Sequence, residues 1–343
     1  MAANKKTTPR RVNVAVVGLG FMGVTHLRAY QQIRNARIVA VCDAVRLPIH
    51  GVLRGVAGNI KKTADLQLGP RVKIYREFSE LLADCEVDLV DLCTPTALHP
   101  AQAIAALRAG KHVLCEKPMA VNLAAAQTVL KAAAASEKFL MPAMCMRFWP
   151  GWSWLKTAVA KKTYGAVRAA NFRRVTAKPA WGKAGTHRGG ALLDLHIHDT
   201  DFVNFLFGRP AAVFSTGVTD AVGNVDHVVT QYFYPQGPLV HAEGSWLLPD
   251  GFNMSFALHC ERATIDYDLA RGAGALQLRE AGEKMRTVKL KNTDGYAEEL
   301  RYFVGCVARG ESPSIVTPQD GVTALEICAA EEKSVRTGKL VRL

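Results

Sequence analysis

The sequence predicts an α/β chain in two parts, a doubly wound parallel sheet followed by a domain built on an antiparallel sheet. Three observations predict it. Apolar, β-branched runs alternate with helical patterns over about the first 140 residues, as βαβ units do. From Ala212 onward, strand-like runs instead follow one another at hairpin spacing. At 343 residues, with 49% hydrophobic and 21% charged content, the chain is long enough for two sizeable cores.

The first strand, Val12 to Val17, is short and apolar, as a strand covered on both faces should be. It runs into Gly18-Leu19-Gly20-Phe21-Met22-Gly23, and a helical pattern follows from Val24 to Ile33. In a G-x-G-x-x-G placed between strand and helix, each glycine has a task. Gly18 makes the tight turn, Gly20 lets the backbone approach a pyrophosphate, and Gly23 lets the helix pack closely on the strand. The amides and dipole of the helix start, at Phe21 and Met22, favour the phosphate charge. A second strand, Ala36 to Cys42, ends at Asp43, about twenty positions on, where a carboxylate accepts bonds from an adenosine ribose. Asp43 repels a 2′-phosphate and so favours NAD; Arg46, three residues later, could swing over such a phosphate and keeps NADP possible.

A helix-like stretch follows Asp43, then a basic, irregular insert from Gly55 to Arg71. Lys73 to Tyr75 is a strand, Glu77 to Ala83 a helix, and Val87 to Leu92 a strand that ends in Cys93-Thr94-Pro95-Thr96. Pro100 suits a first helical turn, and Ala101 to Ala109 stops at Gly110. His112 to Cys115 is a strand, Asn122 caps the helix Leu123 to Ser136, and Phe139 to Met144 is the sixth strand. The pattern then changes. A helix from Trp152 to Ala160 leads to a strand, Val167 to Val175, a Lys-, Trp- and Gly-rich loop, Ala177 to Gly190, and an apolar helix, Ala191 to Phe207. The later strands are Ala212 to Val218, His227 to Tyr234, Leu239 to Leu247, Asn253 to Cys260, Thr264 to Asp268, Ala275 to Arg279 and Met285 to Leu290. Helices Tyr296 to Ala308 and Pro318 to Thr337 close the chain.

Composition excludes several classes. No run of about eighteen apolar residues indicates a membrane span. Residues 1–11 read as a disordered basic tail leading straight into a core strand, not as an export signal, and a cytoplasmic location follows. The eight cysteines include no C-x-x-C, which removes a zinc knuckle or redox pair. The net charge of +13 is spread along the chain without an aromatic platform, which draws anionic ligands but argues against a specific nucleic-acid surface.

Two constellations carry chemistry beyond the glycine turn. In Cys115-Glu116-Lys117-Pro118, a lysine leaves the carboxyl end of the fifth strand, the edge that faces the ligand crevice. That edge offers Thr94, Pro95, His99, Glu116 and Lys117 as further cofactor contacts. In the helix that opens at Gly190, Asp194 and His198 stand four apart and share a face, so the carboxylate could orient the imidazole as a general base. A metal held by His196, His198 and Asp199 is the weaker reading, since His196 and His198 point to different sides of a helix. The crevice is expected to be lined by Arg147, Phe148, Trp149, Lys178, Trp181 and Arg188, aromatic faces suiting sugar C–H groups and basic heads an anionic substituent. Trp152 and Trp154 could equally pack the domain junction.

The glycine turn, E-K-P and D-x-x-x-H together resemble the glucose–fructose oxidoreductase/inositol dehydrogenase (Gfo/Idh/MocA) family of NAD(P)-dependent sugar and polyol dehydrogenases. The resemblance runs from Val12 to the last helix. It implies a Rossmann domain over residues 12–145, a substrate and oligomerisation domain over 146–317 with a large, open, mostly antiparallel sheet, and a final helix, 318–343, packing back on the first domain. It also implies homodimers or homotetramers through that sheet, and Lys117, Asp194 and His198 as the catalytic group. On that basis His198 takes the hydroxyl proton, Asp194 orients it, and Lys117 holds the substrate oxygen, with Lys117 as proton carrier the alternative. Substrate contacts would be Lys117, Arg147, Trp149, Trp181, Arg188, Asp194 and His198. The chain departs from the family in carrying His196 where a small residue is usual, which would reshape the pocket if it pointed inward. An NAD-dependent glycosidase of the same fold and a non-enzymatic NAD(P) sensor are the competing functions.

Overall fold

The computed structural model describes residues 10–56, 58, 64–179 and 189–343. Six strands of the first part form one parallel sheet. They are β1 (Val12–Val17), β2 (Ala36–Cys42), β5 (Lys73–Tyr75), β6 (Leu89–Leu92), β7 (His112–Glu116) and β8 (Leu140–Ala143), ordered β5-β2-β1-β6-β7-β8. The hairpin of β3 (Val52–Leu53) and β4 (Leu66–Gln67) stands apart from it. Chain order runs outward in opposite directions from β1 and β6. The crevice at such a switch point opens above the carboxyl ends of those two strands, where Gly18 and Thr94 follow.

The helices of this part are α1 (Phe21–Gln31), α2 (Phe78–Ala83), α3 (His99–Arg108) and α4 (Leu123–Ala134). α1 starts at Phe21, three residues ahead of the sequence expectation, with Gly20 as its cap. Asn122 caps α4 by accepting the amide of Ala125. The helix expected after Asp43 does not form. The Asp43 carboxylate instead accepts the amides of Val45 and Arg46, and Pro48 disfavours a helical conformation at Leu47. The insert expected to be irregular contains β4, although 57 and 59–63 lie outside the described residues. Of the tail, 1–9 also lie outside them; Arg10 pairs with Asp88 at 2.5 Å and Arg11 reaches the Arg34 carbonyl.

The second part opens with α5 (Pro150–Ala160) and β9 (Val167–Ala177). The predicted helix from Ala191 is not uniform: Leu192–His196 form one π-helical turn before α6 (Ile197–Phe207). Such wide turns occur mostly as single insertions, often at functional sites. The sheet is built from β10 (Ala212–Thr219), β11 (Val225–Phe233), β12 (Leu239–Cys260), β13 (Ala263–Asp268), β14 (Leu276–Glu280), β15 (Arg286–Thr287) and β16 (Val341–Arg342), ordered β15-β14-β13-β12-β11-β10-β16. The two strands expected between Leu239 and Cys260 are the two arms of β12, and β9 pairs with both. The strand expected over Met285 to Leu290 is only β15. One face of this sheet is covered by α5 and α6 around Trp152, Phe172, Phe202 and Phe256, none more than 2% exposed.

Two helices tie the parts together. α7 (Gly295–Arg309), capped by Asp294, buries Leu300, Phe303 and Val304 in the core of the first part. α8 (Pro318–Thr337) begins with a reciprocal Thr317–Asp320 cap and packs on α4, β8 and β10. Arg147 sits at this seam, with both Asp201 oxygens at 2.6 and 2.9 Å and Asp320 at 3.0 Å. A fully buried guanidinium so satisfied is a structural clamp, costly to break by removing one partner.

Candidate active site

A cleft of about 1060 Å³ runs from the glycine turn along the carboxyl edge of the parallel sheet to the second sheet. Its first end fits a dinucleotide. Gly18 holds φ +87°, and a Cβ there would lie 2.6 Å from the Cys93 carbonyl oxygen. A Cβ at Gly23 would lie 1.9 Å from the Gly18 carbonyl oxygen, so α1 can pack this closely only with glycine. A Cβ at Gly20 would meet nothing within 4 Å, and no side chain caps the helix there. Open space above uncapped, positively polarised amides is what a pyrophosphate requires. Gly18, Gly20, Phe21, Met22, Asp43, Thr94 and Pro95 all line this end.

Asp43 also braces the turn itself, since its Oδ2 accepts the Leu19 amide at 2.7 Å. Arg46 is tethered across the same turn to the carbonyls of Leu19 and Arg54 rather than swung into the cleft. His99 is a correction. It is 1% exposed and does not line the cleft; its ring nitrogens face the carbonyls of Pro118 at 2.8 Å and Thr94 at 2.7 Å, clamping two cleft loops together.

Glu116, at the end of β7, lines the cleft and accepts the Lys117 amide at 3.0 Å. Its second oxygen lies 3.3 Å from Nε2 of His26, whose Nδ1 lies 2.8 Å from Asp91. Burial disfavours the charged imidazole, but Asp91 and Cys93 together outweigh it and hold the His26 pKa well above its usual value. Burial likewise opposes the Glu116 anion, and the hydrogen bond and charge of His26 hold its pKa below the ordinary range. The backbone that launches Lys117 is thus fixed by a buried ionic string. The Lys117–Pro118 peptide is cis.

Lys117 and the π-helical turn meet across the cleft. Lys117 Nζ donates to Asp194 Oδ1 at 3.0 Å and also to the Asp194 backbone carbonyl. This corrects the expected role of Asp194, whose carboxylate holds the lysine and makes no hydrogen bond to His198. Nδ1 of His198 is buried without a partner. Burial pushes its pKa well down, and the positive charges of Lys117 and Arg174 push the same way. The imidazole is therefore neutral at physiological pH, as a base must be. Lys117, Asp194 and His198 all line the cleft, so the structure brings the three predicted catalytic residues together.

Trp149 lines the substrate end, edge-on to Tyr296 with ring centroids 5.6 Å apart. Arg147, in contrast, is committed to Asp201 and Asp320 outside the cleft, Phe148 packs on Tyr302, and Lys178 pairs with Asp226 at 2.6 Å; all three leave the predicted lining. Trp181 and Arg188 lie outside the described residues. Arg174 takes the place foreseen for Arg147. It lines the cleft with Asp199 bound to it at 2.8 and 3.0 Å, and the alternation along β9 was the one signal that could have marked it. Trp154 packs on Tyr164, while Trp152 lies deep in the second core.

His196 does not point into the cleft. It is fully buried behind the π-helical turn, with Nε2 3.3 Å from the Tyr232 hydroxyl and 3.4 Å from Glu331. A Cβ at position 244 would come within 2.6 Å of the His196 Cβ, so Gly244 on β12 is what makes room for this imidazole. With His196 turned away and Asp199 spent on Arg174, the alternative metal grouping is not assembled.

A nucleotide-binding parallel sheet whose crevice ends at a lysine, a carboxylate and a neutral imidazole defines an NAD-dependent oxidoreductase. Residues 12–144 match the oxidoreductase family with an NAD-binding Rossmann fold (GFO_IDH_MocA), and residues 152–266 match the GFO/IDH/MocA C-terminal domain. The chain belongs to the Gfo/Idh/MocA family, and its cofactor is NAD. It is 28% identical to a myo-inositol 2-dehydrogenase of Thermotoga maritima over 97% of this chain and 98% of that one. It is 34% identical to a trans-1,2-dihydrobenzene-1,2-diol dehydrogenase of Sus scrofa over 48% of this chain and 50% of that one. The fold matches that of a levoglucosan dehydrogenase solved with NADH and L-sorbose, at a TM-score of 0.79 and 20% identity over 97% and 99% of the two chains.

The lowered His198 pKa makes a kinetic prediction. Because the folded value lies below 6.5, the imidazole stays neutral as pH falls through 6.5; with His198 as the base, kcat/KM should remain flat there and decline only at lower pH. A pH profile with its acid limb centred above 6.5 would remove His198 as the base.

Proposed function

We propose that the chain oxidises a secondary hydroxyl of a sugar, inositol or related polyol or sugar acid, reversibly and with NAD. The observation that carries this is the meeting of Lys117, Asp194 and His198 at one end of a cleft whose other end is the glycine turn. The names of the inositol and levoglucosan dehydrogenases to which the chain is similar support the same class of substrate. When bound, NAD supplies the hydride acceptor, and the chain's residues supply alignment and proton handling. Lys117 donates a hydrogen bond to the substrate oxygen and stabilises the negative charge that grows as its proton leaves. His198, neutral and partly enclosed, receives that proton. Asp194 keeps the long lysine side chain in one place, so less freedom is lost when substrate binds.

Lys117→Met and His198→Ala should each lower kcat at least about 100-fold. Both should bind NAD within a few-fold of the unaltered protein, since neither residue shapes the glycine turn. Steady-state rates with a polyol and nucleotide titration check this; two variants that retained near-normal turnover would overturn the assignment.

The proposal extends to assembly and location. The second sheet leaves Val218, Val229, Leu239 and Leu247 exposed between 38% and 54%, apolar surface that pairing with a second copy would cover. Sedimentation equilibrium should return two or four times the 37.2 kDa chain mass, and a monomer at micromolar concentration would contradict it. All eight cysteines are unpaired, which suits a reducing, cytoplasmic environment, and no helix among the described residues is long and apolar enough to cross a membrane.

A further inference from the structure

One charge on the floor of the cleft is left unbalanced. Across the cleft, Lys117 pairs with Asp194 at 3.0 Å and Arg174 with Asp199 at 2.8 Å, so these charges cancel. Beneath the carboxyl edge of the parallel sheet, His26 of α1 pairs with Asp91 of β6 at 2.8 Å, both fully buried. That leaves Glu116 at the end of β7, which is 6% exposed and lines the cleft. His26 Nε2 lies 3.3 Å from one of its oxygens and the Lys117 amide donates to the other at 3.0 Å, contacts that favour the anion. The remaining ionisable groups packed around it are uncharged. Glu299 of α7 is fully buried with neither oxygen hydrogen-bonded, and burial pushes its pKa well up, so it is a neutral acid. Burial also raises the thiols of Cys93 and Cys145 and the phenol of Tyr296, and it lowers His99. Among the described residues around the end of β7, the charges therefore sum to one excess anion, fixed on Glu116.

Hydride transfer at Lys117 and His198 requires the nicotinamide to lie at this end of the cleft, beyond the carboxyl ends of β6 and β7. That ring is a cation in NAD+ and neutral in NADH, so a nearby anion acts on one form only. In a site of reduced dielectric, a unit charge several ångströms from another is worth on the order of tenfold or more in affinity. Resting on the dehydrogenase reading above, we propose that Glu116 sets the preference of the site between the two oxidation states of the nucleotide, its fixed negative charge favouring NAD+ over NADH. His26 and Asp91 are positioning residues that hold this carboxylate in place from behind. By linkage, NADH then leaves the product complex more readily, and while bound it is the better hydride donor.

The test is equilibrium binding of each nucleotide to the full chain without substrate, NADH by its fluorescence and NAD+ by calorimetry. Glu116→Gln keeps the shape and removes the charge, and it should lower the ratio of the NADH to the NAD+ dissociation constant about tenfold. Glu116→Asp keeps the charge and should hold that ratio within about threefold of the unaltered value. Glu116→Ala should lower the ratio as the glutamine does, and it supplies the comparison if the glutamine is not accommodated. A residue that only shaped the cleft would weaken both nucleotides alike and leave the ratio where it was. If removing the charge changes both affinities equally, or neither, the inference is wrong and the dehydrogenase reading stands. If the unaltered protein binds neither nucleotide, the dehydrogenase reading falls as well.

Discussion

The site depends on one ion pair made across the two parts of the chain. Lys117 leaves the end of β7 in the parallel sheet, Asp194 sits in the π-helical turn of the second part, and their charged groups meet at 3.0 Å with side chains only 13% and 16% exposed. A mostly buried pair gains strength from the low local dielectric, but each partner left alone would cost several kcal/mol. The cleft therefore has a built-in register, since the lysine is satisfied only when the second domain presents Asp194 to it. Burial, aided by the nearby cations of Lys117 and Arg174, keeps the His198 imidazole neutral.

Buried ionic groups hold both ends of this contact in place. Behind Lys117, His26 lies between Asp91 and Glu116, and Glu116 grips the lysine's own amide. Behind the π-helical turn, His196 reaches Tyr232 and Glu331, while Arg174 and Asp199 fasten α6 to β9. At the seam between the parts, Arg147 is shared by Asp201 and Asp320. Such arrays add little net stability compared with apolar packing, but they tolerate few alternative geometries. That rigidity suits a site in which a donor, an acceptor and a base must be aligned within fractions of an ångström.

Much of this was legible in the chain itself. The glycine turn and Asp43 were readable because a backbone approach to phosphate demands glycine at fixed spacing, and Lys117 because strand ends face the crevice. The D-x-x-x-H spacing located the second constellation but misassigned its internal contact. Helical periodicity places Asp194 and His198 on one face and says nothing of a lysine 77 positions away that competes for the carboxylate. Arg147 was expected in the crevice and Arg174 was missed for a similar reason, as an arginine's partners are set by tertiary packing. The helix wrongly expected after Asp43 illustrates local competition, with a single carboxylate capturing two amides that a helix would have used. His196 could be judged only once Gly244 was seen opposite it.

The dependence on the Lys117–Asp194 pair is tested most directly by a double-mutant cycle on kcat/KM, using Lys117→Met, Asp194→Asn and both together. If Asp194 works by holding Lys117, the double variant will be no worse than Lys117→Met alone by more than about threefold. Losses that multiply, the double variant falling by the product of the two single effects, would show that the residues act separately and would contradict the account.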